Sequence, residues 1–198
     1  MMPASANPRF ALTESALRLI RHAEIKLAGR PPRYSQRPRI IQGPFNVTTN
    51  PQQWRQEATF LRLISITESY VDAISVSLLS QSVDMSLAVL SRMVEDIELS
   101  SSGNWPARQS AFQLHHQLKL SSCARWGDLQ AAIQVRNCLA HGLGRLTAKQ
   151  RKNIGLANQL AVLDVAIGAG RMYFGTLTVS TTAAVCTAFV SDIDAKLP

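Results

Sequence analysis

The chain has no uninterrupted run of about 18 apolar residues, the length that carries a helix across a membrane, so no membrane-spanning helix is expected. The first 30 residues lack the apolar centre of a signal peptide. They carry Glu14, Glu24 and several arginines, and acids also argue against an amphipathic transit peptide. Cysteine is scarce and odd in number: Cys123, Cys138 and Cys186 are scattered. No CxxC or Cys/His ligand spacing occurs, which disfavours a disulfide framework and a structural zinc site. A reducing cytoplasm fits this usage best, and neither a metal nor a cofactor is expected. No internal repeat is visible. The glycine-rich stretches GLG at 142–144 and GAG at 168–170 do not follow a strand and open a helix, as a dinucleotide fingerprint must. Ser65, Ser69 and the SSS run have no base at helical spacing, so no serine nucleophile is expected. His115 and His116 are adjacent and point about 100° apart on a helix, which reads as a surface pair rather than a chelate.

What remains is a chain of 198 residues, 46% hydrophobic, enough for one domain and an arm. Lys and Arg number 21 against 13 acids, and the net charge of +8 suits a polyanionic partner such as nucleic acid. Residues 1–12 read as a loose tail, followed by a helix over 13–28 with Thr13 as its N-cap and Leu17, Ile20 and Leu27 near one face. Residues 29–51 hold four prolines before Pro51, plus Arg30, Arg33, Arg37 and Arg39, and predict an irregular or extended connector. We therefore expect an N-terminal helix and Pro/Arg-rich arm over 1–52 and a helical domain over 53–198.

From Gln52 a long stretch has no Gly or Pro, and Phe60, Ile64, Val71, Ile74 and Leu78 recur at three- and four-residue steps. This predicts a central helix, buried on most sides, with Glu68 and Asp72 sharing a face and in need of partners. A second helix is expected over 84–100, with Asp84 at its N-terminus and Leu87, Leu90, Val94 and Ile97 as its stripe. Asn104 resembles an N-cap with Pro106 in the first turn of a helix over 106–120. The next helix starts near Ala124, buries Trp126, Leu129, Ile133 and Ala140, and stops at His141, with Gly142 as the left-handed residue. A polar turn and short helix follow over 147–160. β-branched and aromatic residues around Gly168, Ala169 and Gly170 signal a hairpin. Ser180 is a candidate cap for a last helix that faces Val185, Phe189 and Ile193 inward. The fold class is all-α: a helical bundle with a small C-terminal β-hairpin.

Arg136, Asn137 and His141 are the one compact group of catalytic residue types. Asn137 and His141 are i,i+4 and share a helix face, whereas Arg136 is rotated by about 100° from Asn137. One copy of the helix therefore makes half a site, and a two-fold partner would supply the other half. A plainer reading also exists: Arg136 pairs with Glu68 or Asp72, Asn137 bonds backbone, and His141 sits at a helix C-terminus because the dipole favours a cation.

The string RNCLAH, residues 136–141, resembles the signature of the HEPN family (higher eukaryotes and prokaryotes nucleotide-binding domains). That signature is an arginine, a polar residue directly after it, and a histidine four to six residues further on. Arg136, Asn137 and His141 match these positions. The resemblance covers about residues 53–198 and implies an all-α bundle that dimerises with its motifs facing each other. It further implies a metal-independent endoribonuclease in a toxin–antitoxin or antiviral setting, with RNA as substrate and an antitoxin or other regulatory protein as a partner. Cleavage without metal uses the ribose 2′-hydroxyl as nucleophile. Histidine moves a proton near neutral pH, and its place at a helix C-terminus leans His141 towards the acid role. Arginine stays charged and grips phosphate with two N–H groups. Asn137 does not titrate and would orient its neighbours, and Glu68 would position Arg136. The rivals are a noncatalytic HEPN-like module that dimerises or binds RNA or nucleotide, and a basic scaffold that binds nucleic acid through the arm.

Overall fold

The computed structural model describes residues 8–28, 39–41, 47–49 and 51–197. They are mostly helical: α1 Pro8–Ala28, α2 Pro51–Ser82, α3 Ala88–Ser101, α4 Trp105–His116, α5 Trp126–Gly142, α6 Ala148–Arg151, α7 Leu156–Ala161 and α8 Thr178–Lys196. A 3-10 turn spans Leu120–Ser122, and two antiparallel pairs complete the list, β1 Arg39–Ile41 with β2 Val47–Thr49 and β3 Val165–Gly168 with β4 Arg171–Phe174. The all-α class with a small hairpin near the C-terminus therefore holds. The pair β1–β2 falls inside the connector expected to be irregular or extended, where Ile40, Ile41, Val47, Thr48 and Thr49 favour extended backbone. Arg30, Arg33 and Arg37 lie outside the described residues.

The chain divides into two compact units. The first is Met1–Leu19, Ser65–Gly127 and Cys186–Pro198; the second is Ile20–Ile64 and Asp128–Val185. In the first, Val71, Ile74, Phe112, Leu120, Phe189 and Ile193 are buried, and Trp105, Trp126 and Phe189 form an aromatic cluster with ring centroids 5.8–6.2 Å apart. α2 presents Glu68, Asp72 and Ser75 on one face, at i, i+4 and i+7, and α4 answers each of them. Trp105 Nε1 donates to Glu68 Oε1 (3.0 Å), Arg108 donates through Nε and Nη2 to the two oxygens of Asp72 (2.8 and 2.7 Å), and Ser75 Oγ lies 2.8 Å from His116 Nε2. The half-buried acids thus find partners, and Asp72 is paired with Arg108. By length and composition α2 passes as a membrane-crossing helix, with a mean hydropathy of 1.2 over an 18-residue window. An interrupted apolar pattern reaches that value where an unbroken run does not exist.

α1 begins at Pro8, the residue pre-set for a first helical turn, so Thr13 is not its cap. Thr13 instead donates to Asp194 Oδ1 (2.9 Å) and meets the Tyr70 hydroxyl (3.2 Å). Burial pushes the Tyr70 hydroxyl up to about 12. Arg9 donates to the carbonyls of Asp194 (2.8 Å) and Leu197 (3.2 Å), closing the end of α8 with a cation. Asp84 precedes α3 and accepts from the Ser86 amide and hydroxyl in a turn, which holds its carboxyl below the usual range. Of the expected α3 stripe, Val94 is buried, Leu90 and Ile97 are half-buried and Leu87 is exposed. Asn104 does cap α4, accepting from the Ala107 amide (2.9 Å), and the helix ends at His116 because Gln117 turns left-handed (φ 55°).

In the second unit the buried side chains include Phe60, Leu63, Ile64, Leu129, Val135, Leu156, Leu160 and Leu163. Phe60 packs on Phe174 of β4 at 5.3 Å. The hairpin turns through Ala169 (φ 48°) and Gly170 (φ 70°), the two left-handed positions of a tight two-residue turn. α8 starts at Thr178, and Ser180 lies inside it, bonded back to the Leu177 carbonyl (3.0 Å). The group that holds this start is Asp164, whose carboxylate accepts from the Leu177 amide (2.8 Å) and whose carbonyl accepts from Gly175 N and Thr178 Oγ1. The Asp164 carboxyl lies where a Gly175 Cβ would stand.

Gly175→Ala is expected to cost about 1–3 kcal/mol, since the new methyl group overpacks against Asp164; urea unfolding monitored by circular dichroism measures it. Arg108→Ala, which leaves the Asp72 carboxylate without its partner, is expected to cost about 3 kcal/mol. In the same measurement Arg108→Met with Asp72→Leu should cost less than Arg108→Ala alone.

Candidate functional site

α5 is buried through Leu129, Ala131, Ala132, Ile133, Val135, Cys138 and Leu139. Against these, Gln130, Gln134, Asn137 and His141 recur at i, i+4, i+7 and i+11 and fall on one face, because a helix advances about 100° per residue. The motif is thus the end of a polar stripe on an otherwise apolar helix. Arg136 and Asn137 are half-buried and His141 is exposed. Arg136 Nη1 donates to Asn137 Oδ1 (3.3 Å), so the arginine reaches round the helix to the stripe despite its rotation in sequence. Glu68, expected to position Arg136, accepts from Trp105 as described above. Gln130 Nε2 is buried with no hydrogen-bond partner among the described residues.

α5 runs one residue beyond the expected stop, through Gly142. Leu143 (φ 48°) and Gly144 (φ 81°) then take the left-handed backbone that Gly142 was expected to supply. The Gly144 amide reaches the Cys138 carbonyl (3.3 Å) and the Arg145 amide reaches Gly142 (2.9 Å). The chain then runs along β4. Met172 N donates to Gly144 O and Leu146 N to Gly170 O, both at 2.9 Å, which sets Arg145 opposite Arg171 in an antiparallel bridge. Thr147 and Gln150 form a reciprocal capping box on α6, and Gln150 Nε2 donates back to the Gln134 carbonyl of α5 (2.8 Å).

Two titratable groups lie beside this end of α5. Glu57 of α2 is half-buried, and burial pushes its carboxyl above the usual range, opposed by a hydrogen bond from Gln53 and the field of Arg171. Burial also pushes the Cys138 thiol up to about 11, helped by Glu57 and opposed by Arg171. Cys138 donates to the Arg145 carbonyl (3.0 Å) and remains a thiol, not a thiolate nucleophile. Among the described residues no cluster of three His, Cys, Asp or Glu side chains could hold a metal ion.

Spacing along the chain missed three things that packing brings together: Glu57 beside α5, the pair Arg145 and Arg171, and Ser75 against His116. Ser75 and His116 are 41 residues apart, so helical spacing could not show them. His116 is therefore not a bare surface residue. Its imidazole is pushed down to about 4 by burial and by neighbouring His115. Ser75 is itself buried, which closes its hydroxyl to a substrate. An open groove of about 670 Å³ runs along α4 and the 3-10 turn, lined by Gln109, Gln113, Leu114 and Lys119 among others, and contains none of the motif residues.

The unfolded chain protonates His116 near pH 6.5 and the folded chain only near pH 4, so stability should fall as pH drops through that window. His116→Asn removes this contribution: the gap in unfolding midpoint between wild type and variant should narrow from pH 7 to pH 4. A constant gap would contradict a half-buried imidazole held neutral by its surroundings. Comparison of the chain with family models, with curated proteins and with solved structures yields no match.

Proposed function

We propose that this chain is a metal-independent endoribonuclease of the HEPN type, working as a homodimer in which two α5 ends face one cleft. The observation that carries this reading is the R-N-x-x-x-H string at the C-terminal end of α5, with His141 exposed and Arg136 bonded to Asn137. The charge of the segment agrees with it. No acid occurs between Asp128 and Asp164, whereas Arg136, Arg145, Lys149, Arg151 and Lys152 do. Such a segment attracts a phosphodiester backbone.

In this reading the ribose 2′-oxygen attacks phosphorus, the bond to the 5′-oxygen breaks, and the products are a cyclic phosphate and a 5′-hydroxyl. His141 gives a proton to the leaving 5′-oxygen, and a second basic group, contributed across the dimer, takes the 2′-proton. Arg136 carries the charge that builds on the phosphorane, and Asn137 holds the guanidinium in place. A toxin–antitoxin or antiviral role, with a regulatory protein restraining the enzyme, accompanies the reading.

Incubation with single-stranded RNA in EDTA tests it. Wild type is expected to cleave, leaving 5′-hydroxyl ends, and His141→Ala and Arg136→Ala are each expected to slow cleavage by roughly 10²–10⁴-fold. Equal cleavage by both variants would remove the site assignment, and loss of wild-type cleavage on chelation would remove the metal-independent mechanism. A stable dimer by light scattering with no cleavage under any condition points to a noncatalytic module instead.

A further inference from the structure

Arg145 and Arg171 stand directly opposite each other in an antiparallel bridge, held by two backbone hydrogen bonds of 2.9 Å. Side chains so placed leave the backbone about 5 Å apart at Cβ, and like charges at that spacing destabilise the pairing. The pair concentrates positive charge at one point of the surface, a field that favours an anion lying across it. Arg171 is also directed. Its Nη2 donates to the Leu143 carbonyl (3.4 Å), and an added Cβ on Gly144 would stand 4.0 Å from the same nitrogen. Its guanidinium thus lies over the left-handed turn that begins two residues after His141. One of its five N–H groups serves Leu143, and a guanidinium fork offers the others to an oxyanion. Arg145 is exposed, and Arg171 is half-buried with Glu57 of α2 acting on it from the protein side.

We propose that Arg145 and Arg171 form a two-arginine clamp for adjacent phosphates of single-stranded RNA, seating the strand beside His141. This rests on the ribonuclease reading above and extends it. The clamp binds backbone and not bases, so it confers affinity without sequence preference. It acts on ground state and transition state alike, so its loss raises KM and leaves kcat nearly unchanged. The turn after α5 and the hairpin are then one device, the β4 edge bringing a second cation to the end of the motif helix.

The test uses the full chain and a 2′-O-methyl single-stranded oligonucleotide, which lacks the nucleophile, with binding read by fluorescence anisotropy across salt concentrations. Each phosphate contact contributes about 0.7 to the log–log salt slope on a single strand, so R145Q/R171Q should lower the slope by about 1.4. Arg145→Gln alone, at an exposed position, should lower it by about 0.7, and Arg145→Lys should restore it. Arg21→Gln with Arg92→Gln, two exposed cations elsewhere, should leave it unchanged. On cleavable RNA, R145Q/R171Q should raise KM at constant kcat, whereas His141→Ala lowers kcat. If wild type cleaves RNA and both clamp variants keep its slope and KM, the clamp is wrong and the ribonuclease reading stands. If Arg21→Gln with Arg92→Gln lowers the slope as much, the effect is bulk charge and the clamp is again wrong. If wild type neither binds nor cleaves RNA, both fall together.

Discussion

The carbonyl groups at the end of α5 need partners, and the second unit is arranged to supply them. An α-helix leaves its last four carbonyls without intrahelical donors. Of those four, Gly142 receives the Arg145 amide; beside them Cys138 accepts from the Gly144 amide, and Leu143, just past the helix, accepts from the Arg171 guanidinium. Gln150 adds a bond to Gln134 one turn earlier. To make these contacts the chain must reverse through two left-handed residues, lie along β4, and return through the capped turn of α6. The hairpin and α6 are thus tied to the helix end, and His141 stands at an exposed terminus beside these contacts.

The first unit solves a different problem by the same physics. α2 carries two acids and a serine on a face that packs against α4. Taking acids partly out of water is costly unless they are paired, and Arg108 answers Asp72 with two hydrogen bonds. Trp105 donates its indole N–H to Glu68 while its ring joins Trp126 and Phe189, so one side chain serves both the polar seam and the apolar core. This seam orients α4 on α2 more specifically than apolar contacts alone would, because each donor matches one acceptor.

Around α5 the electrostatics are one-sided. The segment from Leu129 to Leu163 has cations and no acid, and Glu57 approaches it from α2. Burial raises the Glu57 carboxyl above its usual range, and the Gln53 hydrogen bond and the field of Arg171 only partly oppose it.

The elements themselves were legible along the chain. Three- and four-residue apolar steps marked α2 and α8, where Phe60, Ile64, Val71, Ile74, Val185, Phe189 and Ile193 are all fully buried. Asn104 announced α4, and Gly170 announced the hairpin, because a cap and a left-handed turn are decided by residues a few positions apart. That Asn137 and His141 share a face was equally readable, being a matter of helical period. The caps that failed, Thr13, Ser180 and Gly142, failed for one reason. Each residue has a local role it can play, and packing assigned that role elsewhere: Pro8 starts α1, Asp164 holds the start of α8, and the reversal into β4 moves the left-handed turn to Leu143 and Gly144. Only the folded chain could pair Arg145 with Arg171, Ser75 with His116 and Glu68 with Trp105. Such pairs join residues 26 to 41 positions apart. Periodicity along one strand of sequence carries no information about which face of another element will lie opposite.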